Sequence, residues 1–116
     1  MKSSAGIDAE TLAARWLEAR GLVLVGRNHH SRFGEIDLIM NDGATLVFVE
    51  VRLRRSGAFG GAAASIDYRK QRKLLLAARH YLARLRHEPR CRFDAVLLDA
   101  IHPDRVEWLR DVIACA

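Results

Sequence analysis

Two stretches, Gly34-Glu35-Ile36-Asp37-Leu38-Ile39-Met40 and Leu46-Val47-Phe48-Val49-Glu50-Val51-Arg52, decide the fold of this chain. Side chains alternate across a strand, so Glu35, Asp37 and Ile39 are expected on one face and Ile36, Leu38 and Met40 on the other. In the second stretch the same period puts Leu46, Phe48, Glu50 and Arg52 together. Asn41-Asp42-Gly43 stands between them, and Asn and Gly tolerate the positive φ of a tight turn, so the strands are expected to pair antiparallel. That pairing can bring Asp37 beside Glu50. Two close carboxylates repel, and an otherwise apolar strand pair keeps both when a cation or a reaction uses the charge. The donors are oxygens, with no Cys and no paired His among them, which points to a hard ion, Mg²⁺ or Mn²⁺.

An antiparallel hairpin with one face in water would also carry carboxylates. Glu50 argues against that plain explanation, because Phe48, Val49 and Val51 around it read as a central strand. Arg52 shares the face of Glu50 and adds a cation to the two anions. Two acids across a hairpin with a basic residue two positions on form the pattern of a metal-dependent phosphodiesterase site.

Working outward, Ser4 or Asp8 can cap a first helix whose apolar positions are Leu12, Ala13, Trp16 and Leu17, with Gly21 stopping it. Leu22 to Arg27 alternates as a first strand, and His29-His30-Ser31-Arg32-Phe33 reads as a polar entry to the second. After the hairpin, Leu53 to Ser65, with Gly57, Gly60 and Gly61, reads as a loop, either a plain connector or a flap over nucleic acid. No Gly-Lys-Ser/Thr follows, so it is not a phosphate-cradling loop. A second helix is expected from Ile66 to Arg86, with Leu74, Leu75, Ala78, Tyr81, Leu82 and Leu85 as its apolar stripe and Pro89 beyond its end. Cys91 to Asp99 is a buried-looking strand that should run parallel to its neighbour after the helical crossover, with Asp94 as a hydrogen-bonding residue. Val106 to Leu109 can add a last short strand, with Trp108 over one end of the core.

The chain has 116 residues, half of them hydrophobic, which fits one small domain spanning 1-116 with its core between Ala5 and Leu109. Neither a membrane-length apolar run nor a signal-peptide core is present, so a soluble, cytoplasmic protein is expected. Cys91 and Cys115 have neither disulfide nor zinc-ligand spacing and read as a core thiol and a tail thiol. The formal charge is +5, and arginine supplies most of the positive side. Base bias in a genome can produce such a composition. Position favours a phosphate polymer as partner instead, because Arg54, Arg55, Arg69, Lys70 and Lys73 lie close in sequence to the acidic hairpin. His30 and Arg32, just before the second strand, are further candidates to meet a phosphate, and His29 and His30 also read as solvated loop residues.

The two strand motifs, with Ala9-Glu10 upstream and Cys91-Arg92-Phe93-Asp94 downstream, resemble the small bacterial YraN-like family, over roughly Gly6 to Leu109. That family is grouped with the PD-(D/E)xK restriction-endonuclease-like superfamily, near the archaeal Holliday-junction resolvases. The resemblance implies an α/β fold with an αβββαβ core, a central mixed sheet flanked by helices, and a Mg²⁺- or Mn²⁺-dependent endonuclease acting on DNA, branched forms included. It puts the metal on Asp37, Glu50 and the Val51 carbonyl, with Glu10 assisting from the first helix. Arg52 falls where the superfamily has Lys. Arginine can stabilise phosphorane charge but does not readily take a proton from water. In some related nucleases the lysine or a glutamine comes from the second helix, which would be Lys70 or Gln71; that run also reads as a solvated helix face. Glu35 would be a peripheral third carboxylate or the partner of an arginine. Arg52 equally suits a nucleic-acid-binding module that keeps the fold without cleaving, and the resolvase likeness allows a homodimer.

Overall fold

The computed structural model describes residues 2–54 and 67–113. In chain order it contains α1 (Ser4–Glu18), β1 (Val23–Ser31), β2 (Gly34–Asp42), β3 (Thr45–Leu53), α2 (Tyr68–Leu82), β4 (Arg90–Leu98), a 3₁₀ turn (Pro103–Arg105) and β5 (Val106–Leu109). The strands form one sheet in the order β1-β2-β3-β4-β5, antiparallel except for the parallel β3–β4 pair. This is the expected αβββαβ order in an α/β fold, with the short β5 added at one edge.

The β2–β3 hairpin follows from its turn. Asp42 pairs with Thr45, leaving Gly43-Ala44 as a two-residue connection, and Gly43 takes a φ of 61° that a side chain would resist. The parallel β3–β4 pair runs from Thr45↔Arg90 to Leu53↔Leu98 and makes β3 the central strand that its apolar run suggests.

Two apolar layers sandwich the sheet. On one side Ala9, Ala13 and Leu17 of α1, four residues apart, pack on Leu38, Met40, Val47, Val49 and Val96. On the other, Leu74, Ala77 and Ala78 of α2 pack on Ile36, Ile39, Phe48 and Phe93. Burying a side chain the size of Phe48 or Leu17 is worth about 1.5–3 kcal/mol, so layers of this kind can offset the cost of burying charge at the end of the sheet.

Several local expectations are corrected. Helix α1 is capped by Ser3, whose Oγ accepts from the Gly6 N–H at 3.1 Å, rather than by Ser4 or Asp8; in a run of two serines the earlier one meets the orphan amide. Strand β1 continues through His29-His30-Ser31, so this is ladder rather than polar entry, and only Arg32-Phe33 turn. Its polar residues hid the strand, as did the register shift between Leu24 and Gly26. Helix α2 begins at Tyr68, after the Asp67 cap, and ends at Leu82, short of Arg86; Leu85 lies beyond it and is exposed. Leu53 closes β3 instead of opening the glycine-rich loop, most of which, with Arg55 and Ile66, lies outside the described residues, as does Cys115. Alternation along β2 also fails at one point. Ile36 joins the α2 layer while Leu38 and Met40 join the α1 layer, so the change of face falls at Asp37.

Candidate metal centre

The β2–β3 ladder is paired from Asp42↔Thr45 as far as Leu38↔Val49. Beyond that pair the Asp37 side chain replaces a backbone acceptor, its Oδ2 taking the Val51 N–H at 2.9 Å. The carboxylate is thus fixed in the mouth between the two strands. It is a rigid mount, because the bond closes on the central strand.

Three elements add to that mouth. Glu10 sits on the buried face of α1 between Ala9 and Ala13 and is 2% exposed. Glu35 enters from β2, and Glu50 from β3 is 4% exposed. One carboxylate oxygen each from Glu10, Glu35 and Asp37 lies within 4.8 Å of the others, a spacing that one cation could bridge. Together with Glu50, Val51, Arg52, Lys70 and Lys2 they line a cleft of ≈ 280 Å³. Four carboxylates thus face three cationic side chains.

The pairing is uneven. Lys2 Nζ contacts Glu10, lies 2.8 Å from Glu35 and lies 2.5 Å from Asp37. Burial pulls this ammonium's pKa down, but its bonds to Asp37 and Glu35 outweigh that and hold it above the ordinary lysine value. Glu50 Oε1 has Arg52 Nε at 3.2 Å and Lys70 Nζ at 3.4 Å. Glu50 Oε2 and Glu10 Oε1 are buried and accept no hydrogen bond, with Arg27 Nη2 standing 3.8 Å from the latter. Burial, with the Asp37 charge next, pushes the Glu50 carboxyl up despite Lys70 and Arg52. Buried carboxylate oxygens without donors on a cleft wall fit a hard divalent cation: they are the ligand atoms Mg²⁺ or Mn²⁺ takes, and among the described residues no sulfur or imidazole lines the cleft.

Among the candidates read from sequence, Glu10, Asp37, Glu50, Val51, Arg52 and Lys70 come together in this cleft. Glu35 is one of its three clustered carboxylates and pairs with Lys2 and His30 rather than with an arginine. Gln71 is half-buried on the first turn of α2 and does not line the cleft. Arg69 and Lys73 are exposed on α2, and Lys73 lies against Gly34, where a Cβ would be 3.7 Å from its own. Arg32 is exposed at the β1–β2 turn, its guanidinium 4.9 Å from the Phe33 ring centre. Arg54 is exposed just past β3, and His30 is exposed with Nδ1 3.5 Å from Glu35. His29 turns away from the cleft onto Tyr81 and His80; burial first, then Arg84 and the other histidines, lowers its pKa. Lys2 is the cleft residue the sequence did not reveal, since a lone lysine ahead of a helix cap belongs to no pattern.

The model of Uncharacterised protein family UPF0102 matches residues 9–98. The chain belongs to that family. A UPF0102 protein of Methylobacillus flagellatus is 54% identical over 109 residues, covering 94% of this chain and 96% of that protein. One of Nitrosospira multiformis is 58% identical over 106 residues, covering 91% and 89%. Another, of Cupriavidus taiwanensis, is 54% identical over 111 residues, covering 94% and 82%. The YraN-like resemblance read from the two strand motifs therefore holds at the level of the family. The matched span contains Glu10, Glu35, Asp37, Glu50, Arg52 and Lys70, and Lys2 precedes it. Among the described residues no helix is long and apolar enough to cross a membrane.

Proposed function

We propose that this UPF0102 protein is a divalent-metal-dependent nuclease that hydrolyses phosphodiester bonds of DNA, branched forms included. The observation that carries the reading is the cleft in which Glu10, Glu35 and Asp37 converge opposite Glu50, with buried carboxylate oxygens left over. Asp37, Glu10 and Glu35 would hold Mg²⁺ or Mn²⁺, with Glu50 and the Val51 carbonyl completing the site. Such an ion, when bound, acts as a Lewis acid toward the phosphate and lowers the pKa of water.

The chain's own groups divide the remaining work. Arg52 stays protonated, so its part is to face charge developing on the phosphorus oxygens. Glu50 pairs with Arg52 Nε at 3.2 Å and Lys70 Nζ at 3.4 Å, and so would hold both cations beside the ion and the phosphate. Arg54, Arg69, Lys73, Arg32 and His30 supply exposed basic groups to meet the backbone away from the reacting phosphate.

Arg52 also favours a second reading, a nucleic-acid-binding module that keeps the fold without cleaving. Its Nε is 3.2 Å from Glu50, an ion pair that holds the acid without any reaction. Incubating the protein with four-way-junction and linear DNA under a Mg²⁺ and Mn²⁺ titration separates the two, with Asp37→Asn/Glu50→Gln as control. The nuclease reading expects metal-dependent cleavage that the double substitution abolishes. Binding of DNA indifferent to metal and to both substitutions would establish the module instead.

A further inference from the structure

The charge in the cleft is balanced from an unexpected direction. Glu10, Glu35 and Asp37 come from α1 and β2, but the cation that touches all three is Lys2, from the segment ahead of α1. Three carboxylates within 4.8 Å repel strongly where water is scarce, and Glu10 and Asp37 are 2% and 7% exposed. An ammonium brings one positive charge to three carboxylates, Arg27 stands off at 3.8 Å from Glu10 and His30 at 3.5 Å from Glu35, and Glu10 Oε1 is buried and accepts no hydrogen bond. A divalent ion would cancel more of that charge and use the free oxygen.

We propose that Lys2 is the cleft's built-in counter-ion, seated among Glu10, Glu35 and Asp37 in the metal-free protein and exchanged for the divalent cation on binding. The inference rests on reading the cleft as a metal site. It goes further by making metal affinity a property of the segment ahead of α1.

The two cations exclude each other. An ammonium sits about 2.7–2.9 Å from its acceptors and Mg²⁺ about 2.0–2.1 Å from its ligands, so both seek the centre of the same trio. Leaving is easy for Lys2. Helix α1 is secured one residue later, by Ser3 Oγ accepting from Gly6 at 3.1 Å and Ser3 O accepting from Ile7 at 3.0 Å, so the Lys2 side chain can swing out without unwinding a turn. That side chain is 27% exposed and already open to solvent. Seated, the ammonium keeps the carboxylates assembled. Displaced, it stays tethered at the mouth of the cleft.

Calorimetric Mn²⁺ titration of the full chain and of Lys2→Met, Lys2→Arg and Asp37→Asn, with thermal unfolding of each with and without Mn²⁺, tests the exchange. Lys2→Met should bind Mn²⁺ about 5-fold tighter or more, the lower end of a typical coupling between two ligands. It should also melt below the parent without metal and alongside it at saturating Mn²⁺, while Lys2→Arg, which retains the cation, stays near the parent in both. Unchanged or weaker binding by Lys2→Met, with Asp37→Asn abolishing binding, would overturn the counter-ion and leave the metal site standing. Failure of the parent protein to bind Mn²⁺ would overturn the metal reading and this inference together.

Discussion

Asp94 on β4 and Asp37 on β2 lie two strands apart in one sheet, both buried, and their surroundings differ in kind. Asp94 accepts from Arg92 Nε at 3.0 Å, Trp108 Nε1 at 2.9 Å and the Asp111 N–H at 2.9 Å, so its charge is met by donors from three places in the chain. Arg92 is tied on its other side to Asp42 at 2.9 Å. Asp37 accepts from Lys2 Nζ and the Val51 N–H, but it shares its mouth with three more carboxylates, and among these Glu10 and Glu50 each keep a buried oxygen that accepts no hydrogen bond. A buried acid that is fully paired holds the middle of β4 to Trp108 of β5 and to the segment after it. Buried acids in excess of their partners, on the wall of a cleft, are what a bound cation would complete.

Substitution at Asp94 should break this contrast most visibly. Asp94→Ala would leave Arg92, Trp108 Nε1 and the Asp111 amide without their acceptor, and removing one partner of a buried pair costs about 3–5 kcal/mol, to be measured by urea unfolding. Asp37→Asn, which lessens the repulsion in the cleft, should cost far less without metal; a loss as large as at Asp94 would erase the distinction. A smaller effect sharpens the acidic side. Asp67→Ala removes the carboxylate that caps α2 by accepting from the Lys70 N–H at 2.9 Å, and should cost about 1 kcal/mol in the same assay while loosening the turn that presents Lys70 to Glu50.

The smallest effect has the opposite sign. Burial and Asp37 hold the Glu50 pKa above its ordinary value, so the stability linked to this group is present below that ordinary value and lost as pH rises through the raised one. At pH 7 without metal its charge is therefore a net cost. Glu50→Gln should raise the melting temperature there by a small margin that shrinks toward pH 4, and calorimetry showing a lower melting temperature at pH 7 would mean that Lys70 and Arg52 outweigh burial.

Much of this was legible in the sequence because it is local and periodic. The β2–β3 hairpin, the parallel β4, and the convergence of Asp37, Glu50 and Arg52 follow from period two and a glycine turn. Glu10 came only through the family resemblance, since a glutamate on a helix carries no sign that its face is buried. The failures share a cause: tertiary partners override local patterns. The alternation of β2 changes at Asp37, whose carboxylate takes the N–H of Val51, fourteen residues on. His29-His30-Ser31 is strand because Ile36, Glu35 and Gly34 supply its ladder. Lys2 joins the cleft because three carboxylates from elsewhere need a cation.

The central claim is that the surplus acids, and not the satisfied one, hold metal. Crystals soaked in Mn²⁺ and measured for anomalous scattering test it directly. The account predicts a peak bonded to Asp37 together with Glu10 or Glu35, at about 2.0–2.3 Å from their oxygens, with Lys2 swung away and nothing at Asp94. A cleft that stays without a peak at saturating Mn²⁺, with Lys2 still seated among its carboxylates, would contradict it.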